Sequence, residues 1–136
     1  MEIMEIIFSL NDKKKKYLIV GLINTVFGYL IGILNYTLFY SLIGIFFLSL
    51  VNNILSITFS FLTYKYLVFK TENKFFVSEY LKSYLVYGLM FIIGTFLLWF
   101  TLEIMMFNIF IAQFITIGLT VILSYVGNNY FTFKRY

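Results

Sequence analysis

Few residues in this sequence could do chemistry. Asn24, Ser60, Lys65, Ser124 and Asn128 are the polar groups of most interest, because each stands in or at the end of a long apolar run, where polar groups are rare and carry function. Amides and hydroxyls can hydrogen-bond a polar ligand, and an ammonium can neutralise an anion. Bond-making is another matter. The chain has no histidine and no cysteine, so the common metal sites, nucleophiles and general bases lose their usual members. We expect no catalytic residue, no metal site and no cofactor.

The polar residues are spaced as helix faces. Gln113, Thr116, Thr120, Ser124 and Asn128 recur every three or four positions and so share one face. Shifted by 64 positions, the same pattern gives Ser49, Asn52, Ser56, Ser60 and Tyr64. A third, narrower stripe holds Gly21, Asn24, Gly28, Gly32 and Asn35. Such faces can pack helix on helix, since small residues let backbones approach and Asn, Ser and Thr bond across the contact. They can also line a polar groove, and Asn24 is then the best single candidate. Lys65, followed by YLVF, is either an anchor whose amine snorkels to the interface or a phosphate contact. In the second case Lys134 and Arg135 join it at the same surface. Glu103 is expected as a solvated carboxylate at the opposite surface, with Glu72 and Glu79 offsetting nearby lysines.

The elements that must position these groups follow from hydropathy. Of 136 residues 62% are hydrophobic and 12% charged, and the mean hydropathy is +0.94. A domain this small cannot hide so much apolar surface from water. No charge occurs among the 48 residues between Lys16 and Lys65, the 20 between Lys82 and Glu103, or the 30 between Glu103 and Lys134. About 20 apolar residues of helix cross the hydrocarbon. We therefore expect an all-α membrane protein, one domain over 1–136, with spans near 17–38, 46–66, 80–102 and 108–131. Tight connections fall at 41–45 and 103–108. Continuous apolarity without alternation excludes barrel strands.

All ten basic residues lie before the first span, from the end of the second to the start of the third, or after the fourth. The positive-inside rule puts both ends in the cytoplasm and makes any homo-oligomer parallel. Residues 1–15 read as an N-terminal interfacial segment, with Ile3, Ile7 and Leu10 at helical spacing. A cleaved signal is not expected, because the cations follow that stretch.

The spans also look duplicated. SFLTYKYLVFK (60–70) matches SYVGNNYFTFK (124–134) at an offset of 64, and KYLIVG (16–21) matches SYLVYG (83–88) at 67. Two hairpins entering the membrane in the same sense form a parallel repeat.

The run KYLIVGLINTVFGYLIG (16–32) with the two repeated endings resembles the GtrA-like family of small four-helix membrane proteins, over about 16–134. In that family the first span carries a basic residue, an aromatic, a Gly and an Asn-Thr pair, matched here by Lys16, Tyr17, Gly21, Asn24 and Thr25. The even-numbered spans of the family end in Asn, a base, an aromatic and Phe. This chain splits that motif, with Tyr64, Lys65, Tyr66 and Phe69 in one copy and Asn128, Asn129, Tyr130 and Phe133 in the other. The resemblance implies flippase-like translocation of polyprenyl-phosphate-linked sugars for cell-surface polysaccharide or teichoic acid glycosylation. It implies as partners the lipid-linked sugar, a glycosyltransferase and membrane lipid, and it supplies no catalytic residues. Asn24, Lys65, Asn128, Ser60 and Ser124 would then meet substrate, with Lys134 and Arg135 at phosphate or headgroup.

Other classes fit less well. A membrane anchor for a glycosyltransferase is the runner-up. A small multidrug exporter needs a carboxylate deep in the first span, and 17–39 has none. Nucleic acid is not expected as a partner of the +4 chain, since the cations track the membrane boundary.

Overall fold

The computed structural model describes residues 12–134 together with Glu2 and Glu5. Most of the expected interfacial segment over 1–15, and Arg135, lie outside the described residues, while Lys13, Lys14 and Lys15 are helical. Those that are described form helices and short connections: α1 (Lys13–Thr63), α2 (Phe76–Trp99) and α3 (Ile109–Gly127), with no strand among them. Each long helix continues into a wider π turn, at Tyr64–Phe69, Phe100–Ile104 and Asn128–Thr132. With these turns included, three segments are long and apolar enough to cross a membrane: Lys13–Phe69, Phe76–Ile104 and Ile109–Thr132. They support a membrane protein. Phe46, Phe91 and Phe114 are each exposed by three quarters or more, a surface suited to hydrocarbon.

Two compact units divide the chain, Met1–Asn73 and Lys74–Tyr136. In the first, α1 is capped by Asp12, whose side chain accepts from the Lys14 backbone amide at 2.9 Å. Helical geometry then holds through Thr63 except at Gly44, with φ 71° and ψ 169°. Only glycine adopts that region readily. The break folds α1 back on itself. Tyr17 and Tyr64 would stand about 70 Å apart on a straight helix, yet their rings stack at 4.3 Å. Phe27 stacks on Phe59 at 3.8 Å, and Asn35 Nδ2 donates to Asn52 Oδ1 at 2.6 Å. The connection expected over 41–45 is thus a single residue. Neighbouring positions stay helical because they carry no other residue that favours leaving the helix.

The second unit is a hairpin of α2 and α3. After the π turn at its end, α2 is closed by bonds from Met105 N to Phe100 O and from Phe107 N to Thr101 O, with Met106 left-handed at φ 54°. Asn108 then caps α3, accepting from Ile111 N at 2.9 Å. The connection is therefore Met105–Asn108, two residues shorter than expected, because helix persists through Ile104. Glycines set the spacing of the pair: a Cβ on Gly127 would come within 3.2 Å of Val86 Cγ1, and one on Gly94 within 3.4 Å of Thr120 Cγ2.

Candidate functional site

Inside the first unit, the two stripes that meet across the fold at Gly44 settle much of the packing question. Gly28 faces Ser56, with only 3.3 Å between a would-be Cβ and the serine Oγ, and Gly32 faces Asn52. Together with the Asn35–Asn52 bond these are helix-on-helix contacts through small and polar residues. Asn24 differs from its stripe. It is 8% exposed, its Oδ1 accepts from Thr63 Oγ1 at 2.8 Å, and its Nδ2 has no partner among the described residues. A buried N–H₂ left unsatisfied is costly, which makes it a donor waiting for an acceptor.

Lys65 follows Thr63, the partner of Asn24, by two residues. Tyr64, its neighbour, brings its hydroxyl to 2.9 Å from where a Gly21 Cβ would be, which levels this part of the return arm with Gly21. Asn24 is three residues beyond Gly21, less than one helical turn. The Lys65 side chain is 0% exposed, and its ammonium donates to Thr71 Oγ1 at 2.8 Å and to the Glu72 carbonyl at 2.9 Å. It does not snorkel. At that burial the ammonium neither reaches an interface nor stands open to a phosphate; it ties the end of the π turn to the segment after it. Lys70 takes a left-handed φ of 50° there, its amide closing on Lys65 O, while Tyr66 Oη donates to Asn73 Oδ1 at 2.7 Å. Ser60, half-buried one turn earlier, accepts at its carbonyl from Thr63 Oγ1.

The second unit holds Ser124, Asn128 and Lys134. Asn128 is 1% exposed and opens the π turn, where its carbonyl accepts from Phe133 N at 2.8 Å. Ser124 is half-buried and bonds Val121 O at 3.0 Å, and Lys134 is exposed. On the same stripe Thr116 is buried, and its Oγ1 has no partner among the described residues. Gln113, at the stripe's far end, is exposed. Glu103 is exposed, as expected for a solvated carboxylate.

Some relevant residues gave no signal in the sequence. Glu79, expected to offset nearby lysines, is buried within the second unit, and nothing in its spacing marked it for burial. Thr63 emerges only because the fold at Gly44 carries it to Asn24. Neither has a motif that could have marked it. The π turns are also silent at the level of composition, although two of them, Tyr64–Phe69 and Asn128–Thr132, begin 64 positions apart.

No cluster of three or more His, Cys, Asp or Glu that could hold a metal occurs among the described residues. The site offers hydrogen-bond donors and ammonium groups at the ends of apolar helices. A family model described as GtrA/DPMS, transmembrane domain, matches residues 16–133. No curated protein and no solved structure matches the chain.

Proposed function

Because this chain belongs to the GtrA/DPMS transmembrane domain family, whose role is membrane-associated and tied to glycosylation, we propose that it moves polyprenyl-phosphate-linked sugar across the cell membrane. The movement is flippase-like and serves glycosylation of cell-surface polysaccharide or teichoic acid. The family is generally non-catalytic, and the work is recognition and passage. One observation carries the reading: the Asn24 amide, buried in an apolar hairpin, presents a donor that has no partner among the described residues. A sugar hydroxyl or phosphate oxygen satisfies that donor, whereas an acyl chain does not.

In this reading each unit crosses the membrane twice, giving four spans with both ends cytoplasmic. The units are parallel repeats, a view supported by π turns beginning at the same offset as the sequence match. Asn24, Ser60 and Lys65 of the first unit, and Ser124 and Asn128 of the second, meet sugar or phosphate. Lys134 and Arg135 meet the headgroup. Four thin helices hardly enclose a path for a sugar, so a parallel homo-oligomer or a glycosyltransferase completes it.

The test is reconstitution of the pure chain in liposomes with a labelled polyprenyl-phosphate sugar. Leaflet exchange faster than in empty liposomes is the expected result, and equal rates would sink the transport reading. A second reading, a non-transporting anchor for a glycosyltransferase, is favoured by the Lys65 ammonium being held by Thr71 and Glu72. An anchor keeps the enzyme at the membrane when Asn24 and Lys65 are replaced, and surface glycosylation continues.

A further inference from the structure

The π turns that begin 64 positions apart differ in the charge set into them. At Tyr64–Phe69 the chain supplies its own cation, the buried Lys65 ammonium, which donates to Thr71 Oγ1 and the Glu72 carbonyl. The residue 64 positions after Lys65 is Asn129, which carries no charge. The turn Asn128–Thr132 has no basic residue in its last turn. It closes α3 at the negative end of the helix dipole, where the last carbonyls lack intrahelical partners and cations are favoured.

The side chains packed there add oxygen and a negative charge. Only Glu79, Ser83 and Val86 of α2 are buried, and spacings of four and three put them on one face. The end of α3 and its π turn lie against that face. A Cβ on Gly127 would meet Val86 Cγ1 at 3.2 Å, and Lys82 Nζ stands 5.5 Å from the Phe131 ring centroid. In the antiparallel hairpin, Ser83 and Glu79 therefore lie toward the same end as Asn128 and Thr132, both 1% exposed. Ser83 Oγ donates to Tyr80 O at 2.6 Å, which leaves its lone pairs for another group. Thr132 Oγ1 is buried and has no partner among the described residues, a costly state unless something occupies it. A carboxylate has about four lone-pair sites, so the contacts of Glu79 within the chain do not exhaust it.

We propose that the second unit holds a monovalent alkali cation between the start of α2 and the π turn, with the Glu79 carboxylate, Ser83 Oγ and Thr132 Oγ1 as ligands. The ion does there what the Lys65 ammonium does in the first unit. Oxygen ligands suit a hard cation, and the single carboxylate of this face balances a single positive charge. The site is separate from the Asn24 donor and does not require the chain to transport anything.

Thermal unfolding of the full chain in detergent tests the site, with sodium, potassium or choline chloride at equal concentration. Choline matches the ionic strength and is too bulky to enter. Sodium or potassium raises the midpoint over choline by about 5 °C, the shift for an ion at roughly ten times its dissociation constant. Glu79→Gln and Thr132→Val each remove the difference. Glu103→Gln deletes an exposed acid of the same unit and keeps it. The proposal is overturned if the three salts give wild type one midpoint, if Glu79→Gln retains the difference, or if Glu103→Gln loses it. Should Glu79→Gln not fold, Thr132→Val carries the test, and an unchanged salt difference there overturns the proposal equally.

Discussion

Asn24 and Thr63, 39 residues apart in the chain, are joined by a 2.8 Å hydrogen bond in which the threonine hydroxyl donates and the amide oxygen accepts. The bond uses one half of the amide and leaves the other, Nδ2, without a partner. Within a membrane such side-chain bonds average roughly 0.6 kcal/mol, while an unsatisfied buried donor costs about 1–3 kcal/mol. On these magnitudes the unpartnered half of the amide costs more than the bond returns, and that balance can be measured.

Replacing Asn24 separates the two roles. Asn24→Leu should leave the first unit unchanged or more stable by about 1 kcal/mol, since the lost bond is smaller than the relieved desolvation. Leaflet exchange of lipid-linked sugar should fall at least about tenfold, the effect of losing roughly 1.4 kcal/mol of recognition. Thermal unfolding in detergent and the liposome assay read the two quantities. A variant that unfolds early and loses exchange in proportion would make Asn24 structural.

Gly21 is fixed by Tyr64. A methyl group there would meet the Tyr64 hydroxyl at 2.9 Å, and Tyr64 has little freedom to yield because its ring stacks on Tyr17 at 4.3 Å with planes 10° apart. Gly21→Ala should destabilise the chain by about 1–3 kcal/mol, the usual range for overpacking. Tyr64→Phe removes the clashing atom and should recover most of the loss in the double variant. Failure of that rescue would show that the strain lies elsewhere.

Gly44 has a different constraint. Nothing lies within 4 Å of a would-be Cβ, so space is free, and the demand comes from φ 71° and ψ 169°. Gly44→Ala should therefore cost about 1–3 kcal/mol through backbone strain alone. Cross-linking of cysteines placed at Asn35 and Asn52, which touch in the folded chain, monitors the fold-back. Unchanged cross-linking at unchanged stability would mean that the break does not depend on glycine.

The sequence was most legible where one physical rule acted alone. Apolar runs bounded by charged residues led to an expectation of four spans, where the structure has three long apolar helices. Hydropathy marks the runs without tertiary information, while the division of the first run depends on the break at Gly44. Two features depended on where the chain returns. The turn expected over 41–45 narrowed to Gly44, since flanking residues keep their helical bonds and only glycine takes the required dihedrals. Lys65 was read as an anchor or phosphate contact from its nearness to the run's end. Its burial follows from the π turn, which carries Thr71 and Glu72 over its ammonium. Asn24 was found at sequence level because an amide deep in an apolar run is conspicuous, while its partner Thr63 was not, because threonine is an ordinary helix-interface residue.

Lys65 provides the last test, since its ammonium holds Thr71 Oγ1 and the Glu72 carbonyl in a setting with no solvent exposure. Lys65→Met keeps most of the stem volume and removes the charge, which leaves those acceptors without this donor. Stability should fall by about 3–6 kcal/mol, the loss of two hydrogen bonds from a charged donor at about 1.5–3 kcal/mol each. Thr71→Val should cost less, about 1–3 kcal/mol, as it strands only one donor. Because the two side chains share one bond, the double variant should be less destabilised than the sum by about 0.5–3 kcal/mol. Strict additivity in detergent unfolding would dismiss the tie. A coupled pair with leaflet exchange intact in Thr71→Val and abolished in Lys65→Met would give the ammonium a ligand role beyond its hold on the turn.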